Sequence, residues 1–554
     1  MPFGESASEG PTTTSSVRLS SLSPSGRTVH SFLMRNGEAL IESHSLPLAG
    51  TVEDDVLDPE IPAVVQTTLP SHVATAFQRY PALELLCVDV DSSSSSKSST
   101  MQKLPKLCLY SKKDVFLLEL GYEPSSRHGE ERVAHQVEGV VLHVSEPFDS
   151  VLLGNATSTT IVRIRAAPQQ SQGYSTICPA EAMAMLTFHN DVYEYALTLY
   201  HGKEDPILTT PLVYRMEALN EQLDQITDFC FCQSNAFALL SALSVAFLKA
   251  TGEVFQASPI LFRGTVVPHQ AVTKTLDFLA IQSSQQDPNS ARCRLLRAAQ
   301  RYILDCFPNN ENSRRGLFVT GQERASSFEW TAQMQGPVLL LPESDDVETF
   351  ALSIEPMAAG DLCGLAIGHV GYEVQFGLLA PTMLIPRFDM ESRADTSKLD
   401  QDLKWGAIVN RVDLRDDENE LQQTCSTLTL MRDPMMNTVV HYVTPTGIQS
   451  ISTNALHLTA NKLCSTLSSS DSGMFSPPSK RGDLPPRTTG WSCIDLSHLK
   501  GQKMVAGSVV SRDAQLGHVL ITRLSDGTFW NHWRVDNYCI FCIGTFSHTF
   551  LSSP

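Results

Sequence analysis

The sequence predicts an all-β protein, a seven-bladed β-propeller with inserted loops and one inserted amphipathic helix. Three observations carry this prediction. Apolar segments of strand length recur in pairs along the chain. Each pair is joined by a short polar turn, and clear helical periodicity is confined to one segment. Asn-Gly and Asp-Gly between alternating apolar residues are the strongest short-range hairpin signals, because the tightest hairpin turns need positive φ at both central positions.

Seven such hairpins follow one another. "SFLMRNGEALIES" turns at Asn36-Gly37, "LCLYSKKDVFLLEL" near Lys112, and "MLTFHNDVYEYALTLY" at Asn190-Asp191. "VAFLKATGEVFQAS" turns at Thr251-Gly252 and "GLAIGHVGYEVQFGLL" at Val370-Gly371. The sixth turns at Pro445-Thr446-Gly447, and "VLITRLSDGTFWNHW" at Asp526-Gly527. Most are spaced by roughly 60 to 80 residues, more than the roughly 40 to 50 of compact propeller repeats. Inserted loops account for the excess. Each hairpin is then expected to supply two of a blade's four strands.

The one wide gap, between the fourth and fifth hairpins, holds the helix. "SARCRLLRAAQRYILDCFP" places Leu295, Leu296, Ala299, Tyr302, Ile303 and Phe307 on one stripe at helical spacing. Ser290 is the expected N-cap, and Pro308 ends the run. Arg294, Arg297 and Arg301 share another face, read as solvated. Residues Gly316 to Trp330 are expected to hold further strands of a blade in this gap.

The propeller is placed at residues 28–550. Residues 1–27 are Ser-rich and are expected to be a disordered tail. Low-complexity inserts lie near 91–100 ("DSSSSSKSST") and 465–490. Such tracts bury too little apolar surface to offset chain entropy, and their Ser and Pro content makes them plausible phosphorylation sites.

Composition narrows the function classes. The formal net charge of -19 argues against a broad nucleic-acid-binding surface, which must be basic to neutralise phosphates. The N-terminus lacks the apolar core of a secretory signal. The longest apolar run, "AFALLSALSVAFL", falls short of the roughly 20 residues that a membrane span needs. Direct membrane insertion is therefore not expected. The 13 Cys are odd in number and many lie inside apolar runs, which fits buried thiols in a reducing compartment, cytosol or nucleus.

No catalytic, cofactor or metal site is predicted. Cys539-Ile-Phe-Cys542 is a CxxC and Cys230-Phe-Cys232 a CxC, but both sit in apolar strand-like runs and are read as buried thiols, not zinc ligands. His441, His457 and His518 lie in or beside strands and are read as structural. The acidic run from Asp416 and the Arg-Gly-Asp at Arg481 are read as solvated loop and insert. No Walker loop, GxGxxG, GxSxG or HExxH occurs. The expectation is a non-enzyme whose loops and blade edges present surfaces to partners.

The sixth hairpin and its flanks, "LTLMRDPMMNTVVHYVTPTGIQSISTNALHLTANKL", resemble a blade of the nucleoporin eighty-eight family. The resemblance rests on Arg432-Asp433-Pro434, Tyr442, Gly447-Ile448 and Leu456-His457 through Leu463. In family order, "YALTLYHGKEDPILTTPLVY", "VAFLKATGEVFQASPILF" and "HVLITRLSDGTFW" are similar to other segments of that propeller. The resemblance covers roughly residues 180 to 535. It implies a non-catalytic scaffold at the cytoplasmic face of the nuclear pore complex, supporting mRNA export and protein transport. It also implies that the propeller docks the C-terminal domain of the nucleoporin ninety-eight family. Partners from the nucleoporin two hundred and fourteen and sixty-two families are implied only through a coiled-coil tail, and no heptad region is present before Pro554. No partner-binding residues can be assigned from the motifs. Two rival readings remain: a generic propeller adaptor of another assembly, and a hydrolase with carboxylates or histidines clustered at one mouth of the channel.

Overall fold

In the computed structural model the following residues are described: 18–22, 28–45, 64–88, 106–121, 140–144, 159–168, 178, 182–190, 193–201, 212–215, 225–234, 238–262, 264–307, 318–320, 332–339, 350–359, 362–388, 406–414, 427–433, 438–454, 457–458, 460–461, 490–495, 505–510, 519–524, 529–535 and 538–542. Their strands form seven four-stranded antiparallel sheets in sequence order, each a meander.

The first sheet comprises β1 (Ser20–Leu22), β2 (Thr28–Arg35), β3 (Glu38–Ser45) and β4 (Val64–Thr68); α1 (Ser71–Arg79) follows it. The second has β5 (Glu84–Cys87), β6 (Lys106–Tyr110), β7 (Val115–Gly121) and β8 (Val140–Val144). The third has β9 (Thr159–Ala166), β10 (Ala182–His189), β11 (Glu194–His201) and β12 (Leu212–Arg215). In the fourth, β13 (Ile226–Phe231) leads through α2 (Ala238–Ala242) to β14 (Val245–Lys249) and β15 (Val254–Ser258). An insertion then carries β16 (Val266–Pro268), α3 (His269–Ser284), α4 (Ala291–Cys306) and β17 (Phe318–Thr320) before β18 (Gln333–Leu339) closes the sheet. The fifth has β19 (Ala351–Ala359), β20 (Leu362–His369), β21 (Glu373–Leu379) and β22 (Gly406–Asp413). The sixth has β23 (Thr429–Arg432), β24 (Val439–Thr444), β25 (Gly447–Ser452) and β26 (Gly490–Asp495). The seventh has β27 (Val505–Val510), β28 (Val519–Leu524), β29 (Phe529–Val535) and β30 (Tyr538–Cys542).

Each of the seven expected hairpins is the second and third strand of one sheet. Asn36 and Gly37 carry the predicted pair of positive φ, 52° and 84°; in the Thr251-Gly252 and Val370-Gly371 turns only the glycine of the pair has it, at 88° and 99°. The first strands lie side by side, β1 against β5, β5 against β9, and onward through β13, β19 and β23. They therefore face a common axis, and the architecture is a β-propeller. The ring closes where β1 meets β27.

Strands buried on both faces explain the near-continuous apolar runs, because every sheet is packed between two others. In β6, Leu107 and Leu109 pack towards the first sheet while Cys108 and Tyr110 pack towards the third. Apolar clusters of this kind fill the six interfaces between consecutive sheets. The closing interface between the last and first sheets is different. There Arg523 on β28 reaches Glu42 on β3 at 2.8 Å, and Gln66 on β4 donates to the same carboxylate at 2.8 Å.

Three expectations change. Ser20–Leu22, inside the stretch read as tail, form β1, because their pairing with β2 supplies an inner strand; residues 1–17 and 23–27 lie outside the described residues. The helix at Ala291–Cys306 is present with Ser290 as its cap, the Cys293 amide donating to Ser290 Oγ at 3.1 Å. It is not the sole inserted helix, since α3 packs beside it, α2 packs against α3, and α1 follows the first sheet. Phe318–Thr320 does form a strand, but it pairs with β16 in a separate two-stranded sheet and not in a blade. The insert near 91–100 lies outside the described residues, as does that at 465–490 up to Gly490, where β26 begins.

Candidate functional site

Two features stand out where function would reside: the central channel and the helical insertion in the fourth sheet. The channel is a cavity of about 290 Å³ lined by the first strands. Its wall holds an ionic belt. Arg163 and Arg165 are two residues apart on β9, so they share one side of the strand while Ile164 packs in the apolar layer behind. Arg163 Nη1 lies 2.7 Å from Glu84 Oε2 on β5, and its Nε lies 3.2 Å from Asp228 Oδ1 on β13. Arg165 pairs with Asp228 Oδ2 at 2.8 Å and with Glu355 Oε1 on β19 at 2.6 Å. Four sheets are thus joined by two arginines and three carboxylates.

Backbone and hydroxyl donors complete the belt. The Phe229 and Ile354 amides donate to Asp228 at 2.8 and 3.1 Å. Ser353 Oγ donates to Asp228 at 3.4 Å and accepts from the Leu430 amide at 3.1 Å, which extends the network to the sixth sheet. The Tyr110 hydroxyl donates to Glu84 at 2.7 Å. Arg18 donates to the Leu428 carbonyl at 3.1 Å, and Arg432 donates to Gln233 Oε1. Burial pushes the Glu84 carboxyl up to about 7, against the pull of Arg18, the Tyr110 hydroxyl and Arg165. Glu355 is also raised by burial, against the pull of Arg165.

Carboxylates therefore do gather in the channel, as a hydrolase would require. Each is already engaged by guanidinium or other donors, and the hydroxyls within reach, Ser353 on Asp228 and Tyr110 on Glu84, are themselves buried donors of the belt. Among the described residues no three His, Cys, Asp or Glu side chains converge as a metal centre needs. Cys230 and Cys232 are buried free thiols; burial raises Cys230, and a hydrogen bond with Cys363, together with burial, raises Cys232. Cys539 and Cys542 lie on β30, but their side chains are outside the described residues. His441 is buried, 2.7 Å from Ser450 Oγ and 3.4 Å from Asp433 Oδ2, which is a structural role. His457 is half-buried; His518, the run from Asp416 and Arg481 lie outside the described residues.

The insertion offers a surface of another kind. Buried Leu296, Ala299, Tyr302 and Ile303 anchor α4, and Val272 and Leu279 anchor α3, in the core between the fourth and fifth sheets. Tyr302 meets Phe388 with ring centroids 5.4 Å apart. Exposed on the insertion are Ile281 of α3 and Leu304 of α4, at 56% and 52%, and Arg294, Arg297 and Arg301 of α4. No helix among the described residues is long and apolar enough to cross a membrane.

The belt was missed by sequence reasoning, although a signal exists. "TTIVRIRA" and "ITDFCF" place lone charges inside strand-like apolar runs. A charge there is either on a solvated face or paired in the interior, and the run "DFCF" favours the interior.

No family model matches the chain, and no curated protein matches it. Among solved structures, a chain of the Chaetomium thermophilum heterotrimeric complex of Nup82 NTD, Nup159 TAIL and Nup145N APD is similar at a TM-score of 0.52 with 12% identity, covering 93% of this chain and 95% of that one. A chain of the yeast heterotrimeric Nup82-Nup159-Nup116 nucleoporin complex aligns at 0.49 with 13% identity, covering 95% and 97%. Chaetomium thermophilum Sqt1 bound to the N-terminus of ribosomal protein L10 aligns at 0.36 with 10% identity, covering 93% and 84%. What the first of these likenesses establishes is the fold, a β-propeller matched along nearly the whole of both chains.

Proposed function

We propose that this chain is a structural nucleoporin: a non-catalytic propeller that docks other nucleoporins at the nuclear pore complex and so supports mRNA export and nucleocytoplasmic protein transport. The observation that carries the reading is the end-to-end likeness to a propeller from a nucleoporin complex. The resemblance of four sequence segments, between roughly residues 180 and 535, to the nucleoporin eighty-eight family supports it from the sequence side. On that resemblance the expected location is the cytoplasmic face of the pore, and a nucleoporin ninety-eight relative is the first expected partner. The state of the channel carboxylates, each held by donors, supports a scaffold over a hydrolase.

The insertion of the fourth sheet is the docking element this geometry favours. Its inner stripe is fixed in the core, so Ile281 and Leu304 are presented on a rigid support.

Affinity purification of the tagged full-length protein from its native cells, followed by mass spectrometry, tests the reading. Recovery of pore components, a nucleoporin ninety-eight relative above all, supports it. A preparation holding a different assembly makes the chain a generic propeller adaptor instead.

A further inference from the structure

The charge of α4 runs against that of the chain around it. Its cations are Arg292, Arg294, Arg297 and Arg301, its one carboxylate is Asp305, and it has no lysine. Four positive charges less one negative leave it cationic in a chain of net charge -19. Arg292 and Arg294 stand near its N-terminal end, and the first turn has no acidic residue. The helix dipole disfavours cations there. Helix stability therefore does not account for these arginines, and a broken local rule points to function.

Position gathers the charge on one side. Residues 294, 297, 301 and 304 are three or four apart, so they form a single stripe about 15 Å long. Arg294, Arg297, Arg301 and Leu304 are exposed along it, while Leu296, Ala299 and Ile303 hold the opposite side in the core. Among the described residues Arg297 and Arg301 make no ion pair, although Asp305 lies one turn beyond Arg301. Like charges four residues apart repel. Carboxylates brought from outside relieve that repulsion, and the planar guanidinium fork binds them in a bidentate manner. Arginine is also the cation enriched at protein interfaces, where lysine is depleted. Leu304, 52% exposed, ends the stripe with an apolar contact.

We propose that the stripe of Arg297, Arg301 and Leu304 receives an acidic amphipathic helix of a partner protein, carboxylates on the arginines and an apolar side chain on Leu304. This rests on the reading of the insertion as a docking element and names the chemistry of what docks there. The occupant is a narrow segment because an extended polyanion, a nucleic acid or an anionic membrane, would also meet the acidic remainder of the chain.

Fluorescence anisotropy of the full-length protein with a labelled synthetic helix tests this. The helix carries two glutamates four residues apart and a leucine three residues further on, matching the spacing of Arg297, Arg301 and Leu304. Saturable binding that weakens as salt is raised is expected. A peptide with glutamine in place of both glutamates should bind about tenfold more weakly, the loss of two exposed ion pairs. The double variant Arg297→Glu, Arg301→Glu should reject the glutamate peptide and accept one with arginine at those two positions. Misfolding cannot produce that exchange of preference, so the result stays decisive if the variant is less stable. Absence of saturable binding by the glutamate peptide, or equal affinity for the glutamate and glutamine peptides, overturns the proposal. So does sedimentation with phosphatidylserine vesicles that the double variant abolishes. Affinity purification from native cells separates this from the pore reading. Pore components recovered without any charge preference for the peptides sink the acidic partner alone; the charge preference without pore components sinks the nucleoporin reading alone.

Discussion

Asp228 is the residue on which most of the inner ring depends. Fully buried, it faces two arginines and accepts from two backbone amides. Removing one member of a buried ionic cluster leaves its partners desolvated and uncompensated. Asp228→Ala should therefore cost about 3–5 kcal/mol, read as a lowered denaturation midpoint; a loss below about 1 kcal/mol would mean that water already screens the belt. Glu84 makes a second prediction. Its carboxyl sits at about 7 in the folded chain and at 4.5 when exposed, so between those values the folded state keeps a proton that the unfolded state has lost. Stability should fall by roughly 3 kcal/mol as pH rises across that window. Glu84→Gln should flatten the fall, and an unchanged slope in pH-dependent unfolding would place the titration elsewhere. These charges were visible in the sequence as interruptions of apolar strands. Their partners were not, because Glu84, Arg163, Asp228 and Glu355 come together only when successive sheets pack their first strands around a common axis.

At the level of elements, the hairpins were legible because turn chemistry and strand alternation are local. Asn36-Gly37 and Thr251-Gly252 declare their backbone without reference to the rest of the fold. The first strands were harder to see. β1 has three residues and β5 four, too short for periodicity to register, and they are strands because of their neighbours. α4 was legible from its stripe and its Ser290 cap. α3 was not, since its buried positions are only Val272, Thr275 and Leu279 and its N-terminus lacks a side-chain cap. Closure of the ring rests on Gly507. A Cβ there would lie 2.2 Å from Ser20 Oγ and 2.9 Å from the Ser20 backbone nitrogen. Gly507→Ala should destabilise by about 1–3 kcal/mol, the usual range for overpacking. The same substitution at an exposed loop glycine with ordinary φ should not lower the midpoint, and an equal loss there would dissociate the effect from ring closure.

Among the described residues the ring has an apolar cluster at six joints and a buried ion pair at the seventh. Arg523, Glu42 and Gln66 meet at the closing interface, beside the buried Leu40 and Ile521. Glu42 is fully effective only when ionised: burial raises it, but the His44 hydrogen bond and Arg523 outweigh this and bring it below the ordinary carboxylate value. The joint's contribution is therefore present above about pH 4.5 and lost as pH falls through the lowered value. The fold was readable from local patterns, whereas the exposed pair proposed for docking was not, because Ile281 and Leu304 resemble core residues until their neighbours are known.

The most direct test mixes the purified full-length protein with the purified C-terminal domain of a nucleoporin ninety-eight relative and measures association by analytical ultracentrifugation. The account predicts a stoichiometric complex. It also predicts that the double variant Ile281→Asp, Leu304→Asp abolishes the complex while shifting stability by no more than about 0.5 kcal/mol, as for other exposed positions. Two species sedimenting independently at every concentration would contradict the central claim that this propeller is a docking platform of the pore.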